Sequence, residues 1–127
     1  MRTRHIISLL SFALIGLAPG VQAQDAYPGR PVKLIVPFSA GGSTDLVARQ
    51  IAQEMTVRMG QPFVVDNKPG AGSTIGADFV AKAPPDGYTL LLGTISSHGT
   101  AVGLYPKLPY DPIKDFSPIT EITAIAN

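Results

Sequence analysis

The sequence predicts an α/β fold, a parallel sheet with crossover helices. Short runs of β-branched and other apolar residues recur along the chain, separated by turns rich in glycine and proline. Apolar residues at helical spacing follow the first two turns. The order strand, helix, strand, helix, strand is typical of a parallel sheet with right-handed crossovers. A length of 127 residues fits one domain.

The first predicted unit joins a strand over Val32–Val36 to a helix. After the loop 37–43, apolar residues recur at every fourth position: Val47, Ile51, Met55 and Met59. This period indicates an amphipathic helix. We expect Ser43 to be its N-cap, Asp45 to stabilise its positive end, and Gly60 to end it.

The second predicted unit begins with a strand over Phe63–Asp66. A glycine-rich loop over 67–73 follows, and a helix over 74–83 ends against Pro84. The next apolar run, 88–93, predicts a third strand that is buried on both faces.

The last third of the chain carries weaker signals. A short helix is predicted within 94–103, and the prolines of 105–112 predict a loop. The run 116–126 predicts a further strand. A parallel sheet that ended there would leave one face bare, so we expect residues 24–127 to be an incomplete N-terminal α/β lobe of a longer protein.

The N-terminal segment matches a secretory signal peptide. Arg2 and Arg4 precede an uncharged run over 6–17, and small residues lead to Ala23. As a helix this run would rise about 18 Å, short of the roughly 30 Å hydrocarbon core of a bilayer. We therefore expect residues 1–23 to be cleaved on export and the protein to reach the periplasm.

Composition excludes several classes of function. Ten Lys and Arg residues against nine Asp and Glu residues give a net charge of +1, without the basic surface that nucleic acid requires. Cysteine is absent, which excludes disulfides, thiolate catalysis and zinc–thiolate sites. The two histidines lack HExxH spacing, so we expect neither a metal nor a cofactor.

Two glycine-rich loops indicate a binding site. Each follows a strand and opens a helix, so both should emerge at the carboxyl edge of the sheet, where ligands bind. The unpaired N–H groups and partial positive charge of a helix start suit a carboxylate. The expected donors are backbone and hydroxyl groups of residues 41–44 and 70–74. Tight packing of strand against helix would explain the same glycines without a ligand.

Two enzyme classes are the alternatives. The loops lack GxxxxGKS or GxxxxGKT, and 70–76 has one residue too many for GxGxxG, which argues against a nucleotide enzyme. An exported α/β hydrolase would use Ser39 or Ser43 with Asp45 and His98, but no GxSxG motif surrounds either serine. We therefore expect a binding protein without catalytic residues, and the hydrolase remains the alternative.

Four stretches of the sequence carry a family resemblance. They are Tyr27–Phe38 with Ala40–Gly42, Asp45 and Ala48–Arg49, then Val65–Gly72, Ala83–Leu90, and Leu108–Pro112 with Lys114–Phe116. In this order they resemble the Bug-type solute receptors of tripartite tricarboxylate transporters. The resemblance implies part of lobe one of a two-lobed, periplasmic-binding-protein-like (type II) fold. Such a receptor captures a small organic acid, such as a di- or tricarboxylate, for the membrane permease subunits.

The resemblance also implies which residues contact the ligand. They are Phe38, Ser39, Ala40, Gly41, Gly42, Ser43, Thr44, Asp45, Gly70, Ala71, Gly72, Ser73, Thr74, Thr94, Ser96 and His98. Two positions depart from the family pattern: Ser73 stands where a third glycine is common, and Ala101–Val102 where Asn-Pro is frequent. Family members are much longer and are expected to be monomers, so we expect this chain to lack the second lobe and to bind weakly or not at all alone.

Overall fold

A computed structural model describes residues 26–124, in which three strands and three helices alternate. The strands are β1 (Val32–Val36), β2 (Phe63–Asn67) and β3 (Thr89–Leu91), and the helices are α1 (Ser43–Met59), α2 (Thr74–Ala81) and α3 (Ala101–Leu104). A 3₁₀ turn, Ala71–Ser73, precedes α2, and a π-helical turn, Ser96–Thr100, precedes α3. The expected signal peptide lies outside the described residues. Within them, no helix combines the length and the apolar character that a membrane span needs.

The sheet is parallel, as predicted, and its strand order is β2-β1-β3. Leu34 of the central strand lies opposite Val65 on one side and Leu90 on the other. The chain steps from β1 to β2 in one direction and from β2 to β3 in the other. Right-handed crossovers therefore place α1 and α2 on opposite faces of the sheet.

The hydrophobic core lies between α1 and one face of the sheet. Its buried members are Val32, Leu34, Val36, Ala48, Ala52, Phe63 and Leu92. The predicted stripe of α1 is confirmed in part, because Met55 and Met59 pack against this cluster only at its margin. The small side chains of Ala48 and Ala52 are the most buried apolar groups of α1 and allow the helix to approach the strands closely.

The amino edge of the sheet is closed by contacts between the segment before β1 and the turn before β3. Tyr27 donates its hydroxyl to the carbonyl of Gly87 at 2.6 Å, and the Tyr88 hydroxyl accepts the N–H of Gly29 at 2.9 Å. Arg30 pairs with Asp86 at 2.9 Å. These bonds give the stretches around Tyr27 and Tyr88 a structural role at the edge opposite the glycine-rich loops.

Three expectations from the sequence are wrong. The third strand is half-buried and three residues long, because β1 takes the centre of the sheet and β3 lies at an edge. Residues 116–124 form no strand: Phe116 packs on other rings, while 117–124 are exposed and have no strand partner among the described residues. Gly42, not Ser43, is the N-cap of α1.

Candidate functional site

Three loops meet at the carboxyl edge of the sheet. Because all strands are parallel, the loops after β1 (37–42), β2 (68–73) and β3 (92–95) leave the sheet on the same side, as the sequence predicts for the first two. The chain reverses its direction across the sheet at β1. Ligands of open α/β sheets bind at such a switch point, outside the carboxyl ends of the strands.

The loop after β1 presents exposed backbone. Residues 39–43 are exposed, and Gly41 has a φ of +86°, a conformation that favours glycine. Gly42 caps α1 without a side-chain hydrogen bond. The first helical bond runs from the N–H of Leu46 to the carbonyl of Gly42 at 3.0 Å, so the N–H groups of 43–45 have no acceptor within the helix.

Asp45 lies beneath this loop and is only 2% exposed. Its carboxylate accepts the N–H of Gly41 and the Nε–H of Arg49, both at 2.9 Å. It also accepts Nδ2–H of Asn67 at 2.9 Å. Hydrogen bonds from Arg49, Gly41 and Asn67 lower the pKa of Asp45 to about 2, so the side chain is ionised at neutral pH.

The loop after β2 has an unusual run of positive φ angles. They are +125° at Gly70, +45° at Ala71, +61° at Gly72 and +78° at Ser73. Residues 70–72 are exposed, whereas Ser73 and Thr74 are buried. The hydroxyls of Ser73 and Thr74 donate to the carbonyls of Gly72 and Ala71, within their own loop. The structure therefore directs these two hydroxyls into the loop, where we had expected ligand donors.

The two glycine-rich loops are joined at their bases. The Lys68 N–H donates to the carbonyl of Val36 at 2.8 Å. Asn67 donates from Nδ2 to the carbonyl of Phe38 at 3.0 Å. These bonds hold the starts of both loops side by side at the end of the central strand.

The segment after β3 holds His98 on the buried side chain of Ser97. Ser97 Oγ donates to the carbonyl of Thr94 at 3.0 Å and lies 2.8 Å from Nδ1 of His98. The Ser97 hydroxyl also accepts the N–H of Thr94 at 3.0 Å, so it joins the start of this segment to the His98 ring. Burial, which includes the ring of Phe116 at 4.7 Å between centroids, lowers the pKa of His98.

An open cavity of about 740 Å³ is lined by His98, by Tyr105 and by residues of the segment 106–115. The Tyr105 hydroxyl also faces the second glycine-rich loop, 3.2 Å from where a Cβ on Gly72 would lie. Its two carboxylates, Asp111 and Asp115, accept backbone N–H groups of the turn 111–115. Those bonds lower the pKa of Asp111. The carboxylates thus stabilise a local turn, and His98 is the one expected ligand contact that lines this cavity.

The hydrogen bonds of the described residues do not assemble a hydrolase triad. His98 bonds to the buried Ser97, and Asp45 bonds to Arg49 and Asn67. The serines considered for this role, Ser39 and Ser43, are exposed on the loop after β1. Within residues 26–124, no three His, Cys, Asp or Glu side chains form a group suited to a metal ion.

The sequence analysis missed Arg49 and Asn67 as members of the site. The spacing of Asp45 and Arg49 is four residues, which places them on one helix face. Asn67 ends β2 directly before a glycine-rich loop, at the edge where the loops were expected. Both residues could therefore be noticed in the sequence. The contact between Asp45 on α1 and Asn67 at the end of β2 could not be identified from spacing alone.

Known proteins are similar to this chain in sequence and fold. The family described as "Tripartite tricarboxylate transporter family receptor" matches residues 47–126. The protein BugT of Bordetella pertussis is 48% identical over 112 residues, which are 87% of this chain and 34% of BugT. The solved structure of the periplasmic binding protein BugD is 50% identical with a TM-score of 0.70, and the match covers 73% of this chain and 31% of that one.

A third relative was solved with a ligand. MatC from Rhodopseudomonas palustris with bound malate is 52% identical with a TM-score of 0.69, over 72% of this chain and 31% of MatC. The chain thus spans about a third of the length of the proteins that it matches. The resemblance carried by the sequence motifs is confirmed: the chain belongs to the family of tripartite tricarboxylate transporter receptors.

Proposed function

We propose that the chain is part of an extracytoplasmic receptor that captures a small carboxylate for a tripartite tricarboxylate-type transporter. Membership of the receptor family and the malate bound to MatC support this class of ligand. One structural observation carries the proposal. Two exposed glycine-rich loops are joined at the carboxyl edge of the sheet, and one of them opens a helix of 17 residues without a side-chain cap.

The ligand carboxylate would lie on backbone N–H groups. Candidates are the amides of Gly42, Ser43 and Thr44 at the start of α1, where the helix dipole favours an anion. The amides of 70–72 would bind from the second loop. Hydrogen bonds to a charged oxygen contribute roughly 1.5–3 kcal/mol each, so three or four offset the cost of association.

The proposed contact set keeps the residues expected from the sequence and the family. The exposed members are Ser39, Ala40, Gly41, Gly42, Ser43, Gly70, Ala71 and Gly72. Gly41 would line the site without donating, because its N–H is bonded to Asp45. Phe38, Thr44, Thr94, Ser96 and His98 are half-buried and would line the site, and Ser73 and Thr74 would shape it from below. Asp45 would act through the loop instead of touching the ligand, because its carboxylate is already bonded on both oxygens.

A second lobe would close over the ligand by a hinge motion in a family member of full length. The signal peptide over residues 1–23, the periplasmic location, the permease subunits as partners and a monomeric state belong to the same proposal. Because this chain covers about a third of its relatives, we expect it to bind one face of the ligand with millimolar affinity.

Thermal unfolding of the chain in L-malate tests the proposal. Ligand that binds only the folded state raises the melting temperature with the logarithm of its concentration. We expect malate to raise it in the millimolar range, and the uncharged diamide of malate to leave it unchanged at matched ionic strength. An equal effect of the diamide, or no effect of malate, would contradict a carboxylate site.

A further inference from the structure

We propose that Asp45, Arg49 and Asn67 form a positioning network for the loop after β1, and that the charge of Arg49 allows an anion to bind beside Asp45. The inference rests on the proposed carboxylate function. It assigns Asp45 a role through the loop instead of a contact with the ligand. It also brings Arg49 and Asn67, which the sequence analysis missed, into the site.

The carboxylate of Asp45 orients one peptide of the loop. Because Gly41 donates its N–H to this buried carboxylate at 2.9 Å, the Ala40–Gly41 peptide points its N–H inward and its carbonyl away from Asp45. In a capping box the side chain at the third helical position accepts the N–H of the N-cap; Asp45 holds that position but accepts the N–H one residue earlier, from Gly41. The reciprocal bond of the box is missing, since the N-cap is Gly42, and the amides of 43–45 are left without a side-chain acceptor.

Asn67 ties both ends of the loop to the second strand. Its Nδ2 donates to Oδ1 of Asp45 at 2.9 Å and to the carbonyl of Phe38 at 3.0 Å. Its Oδ1 accepts Nη2–H of Arg49 at 3.3 Å, which fixes the orientation of the amide. The loop is therefore fixed to Asn67 directly at Phe38 and through Asp45 at Gly41.

Asp45 does not contact the ligand in this arrangement. It is 2% exposed, and its oxygens accept three hydrogen bonds from the protein. As an anion beneath the loop, it would repel a bound carboxylate. Its effect on the ligand must therefore be balanced by a cation.

Arg49 supplies that positive charge. Its Nε–H donates to Asp45 at 2.9 Å, and its side chain remains 52% exposed. The pair is close to neutral as a unit, so the N–H groups and the dipole of α1 determine the potential above the loop. Removing the guanidinium charge would leave an uncompensated anion beside the ligand.

Two substitutions of Arg49 distinguish the effect of its charge from the effect of its shape. Arg49→Lys keeps the positive charge and loses the forked geometry, whereas Arg49→Gln keeps a hydrogen-bond donor and loses the charge. Arg58→Gln is the matched control, since Arg58 forms the other arginine–carboxylate pair of α1, with Glu54 at 3.5 Å, and is 75% exposed. Affinity for L-malate is measured for each variant from amide shifts in ¹⁵N NMR titrations.

We expect Arg49→Gln to weaken malate binding about tenfold and Arg49→Lys to retain affinity within about threefold. Arg58→Gln should bind as the unmodified chain does. Equal losses in the Lys and Gln variants, or no loss in either, would overturn the charge role while the proposed function stands. Absence of malate binding by the unmodified chain would instead contradict the proposed function.

The hydrogen-bond network of Asp45, Arg49 and Asn67 can also be tested in the unmodified chain without ligand. This test does not require that any variant folds. Amide hydrogen exchange of the unmodified chain should be slower at Gly41 than at Gly42, because only Gly41 donates to Asp45. Exchange at Gly41 as fast as at its exposed neighbour would show that Asp45 does not hold the loop, and would overturn the proposal.

Discussion

Gly76 of α2 lies directly against Pro37, the first residue of the loop after β1. A Cβ on Gly76 would come within 2.9 Å of the Pro37 Cβ and within 2.9 Å of the carbonyl oxygen of Lys68. Both neighbours belong to the bases of the glycine-rich loops. The absence of a side chain at Gly76 therefore lets α2 pack where the two loops join.

Gly76→Ala should destabilise the fold. The added methyl group meets backbone and a rigid proline ring, which cannot move aside cheaply, so we expect a loss of about 1–3 kcal/mol in the free energy of unfolding. Chemical denaturation measures this loss. Gly103→Ala in α3 is the control, because nothing lies within 4 Å of its added Cβ. A similar loss at both positions would contradict the close packing at Gly76.

Ser73→Gly should stabilise the chain. Ser73 has a φ of +78°, a left-handed conformation that costs a residue with a Cβ about 1–2 kcal/mol. Glycine removes this cost but adds roughly 0.4–1 kcal/mol of entropy to the unfolded chain, so a net gain of about 0.5–1 kcal/mol is expected. A higher melting temperature would support it. The exposed Ser117→Gly, which relieves no such strain, should not give the same gain.

Asp45 makes stability depend on acid pH. Its pKa is lowered in the folded state to about 2, below the ordinary value of 3.8, so its contribution is complete above about pH 4 and is lost as the pH falls toward 2. Asp45→Asn should reduce the dependence of the melting temperature on pH between about pH 4 and pH 2. Glu54→Gln, at an exposed pair of the same helix, should leave the slope unchanged. An unaltered slope in Asp45→Asn would contradict the buried carboxylate.

His98 should titrate below 6.5, because burial disfavours its charged form. The folded state favours the neutral imidazole. The free energy of unfolding is therefore highest above pH 6.5 and declines as the pH falls through the lowered pKa. Phe116→Ala removes the ring that covers His98 and should raise the pKa toward 6.5. NMR titration of the imidazole measures this shift. As a control, the exposed Ile119→Ala should leave the pKa of His98 unchanged. An unchanged pKa in Phe116→Ala would show that the Phe116 ring does not bury His98.

Local patterns predicted most of the fold. The β-branched run Val32–Val36 and the four-residue period after it identified β1 and α1, because strand and helix periods differ clearly in sequence. The strand order was not accessible to such patterns. Central β1 and edge β3 follow from contacts between distant segments, and the predicted strand over 116–126 failed because a strand requires a partner that the described residues do not offer.

The site was predictable at the level of the backbone but not of the side chains. Glycines between strand and helix indicated the two loops and their common edge. The direction of the Ser73 and Thr74 hydroxyls depends on the positive φ angles of this loop, which cannot be inferred from the sequence. The helix α1 begins one residue earlier than expected, with Gly42 as its N-cap instead of Ser43.

Mapping of amide shifts in ¹⁵N NMR spectra, with malate added to the unmodified chain, locates the ligand on the fold. Signals of Gly42, Ser43 and Thr44 and those of 70–72 should move together along one binding curve, because a single carboxylate contacts both loops. Shifts confined to one loop, or centred on the turn 111–115, would contradict a shared anion site at the carboxyl edge of the sheet.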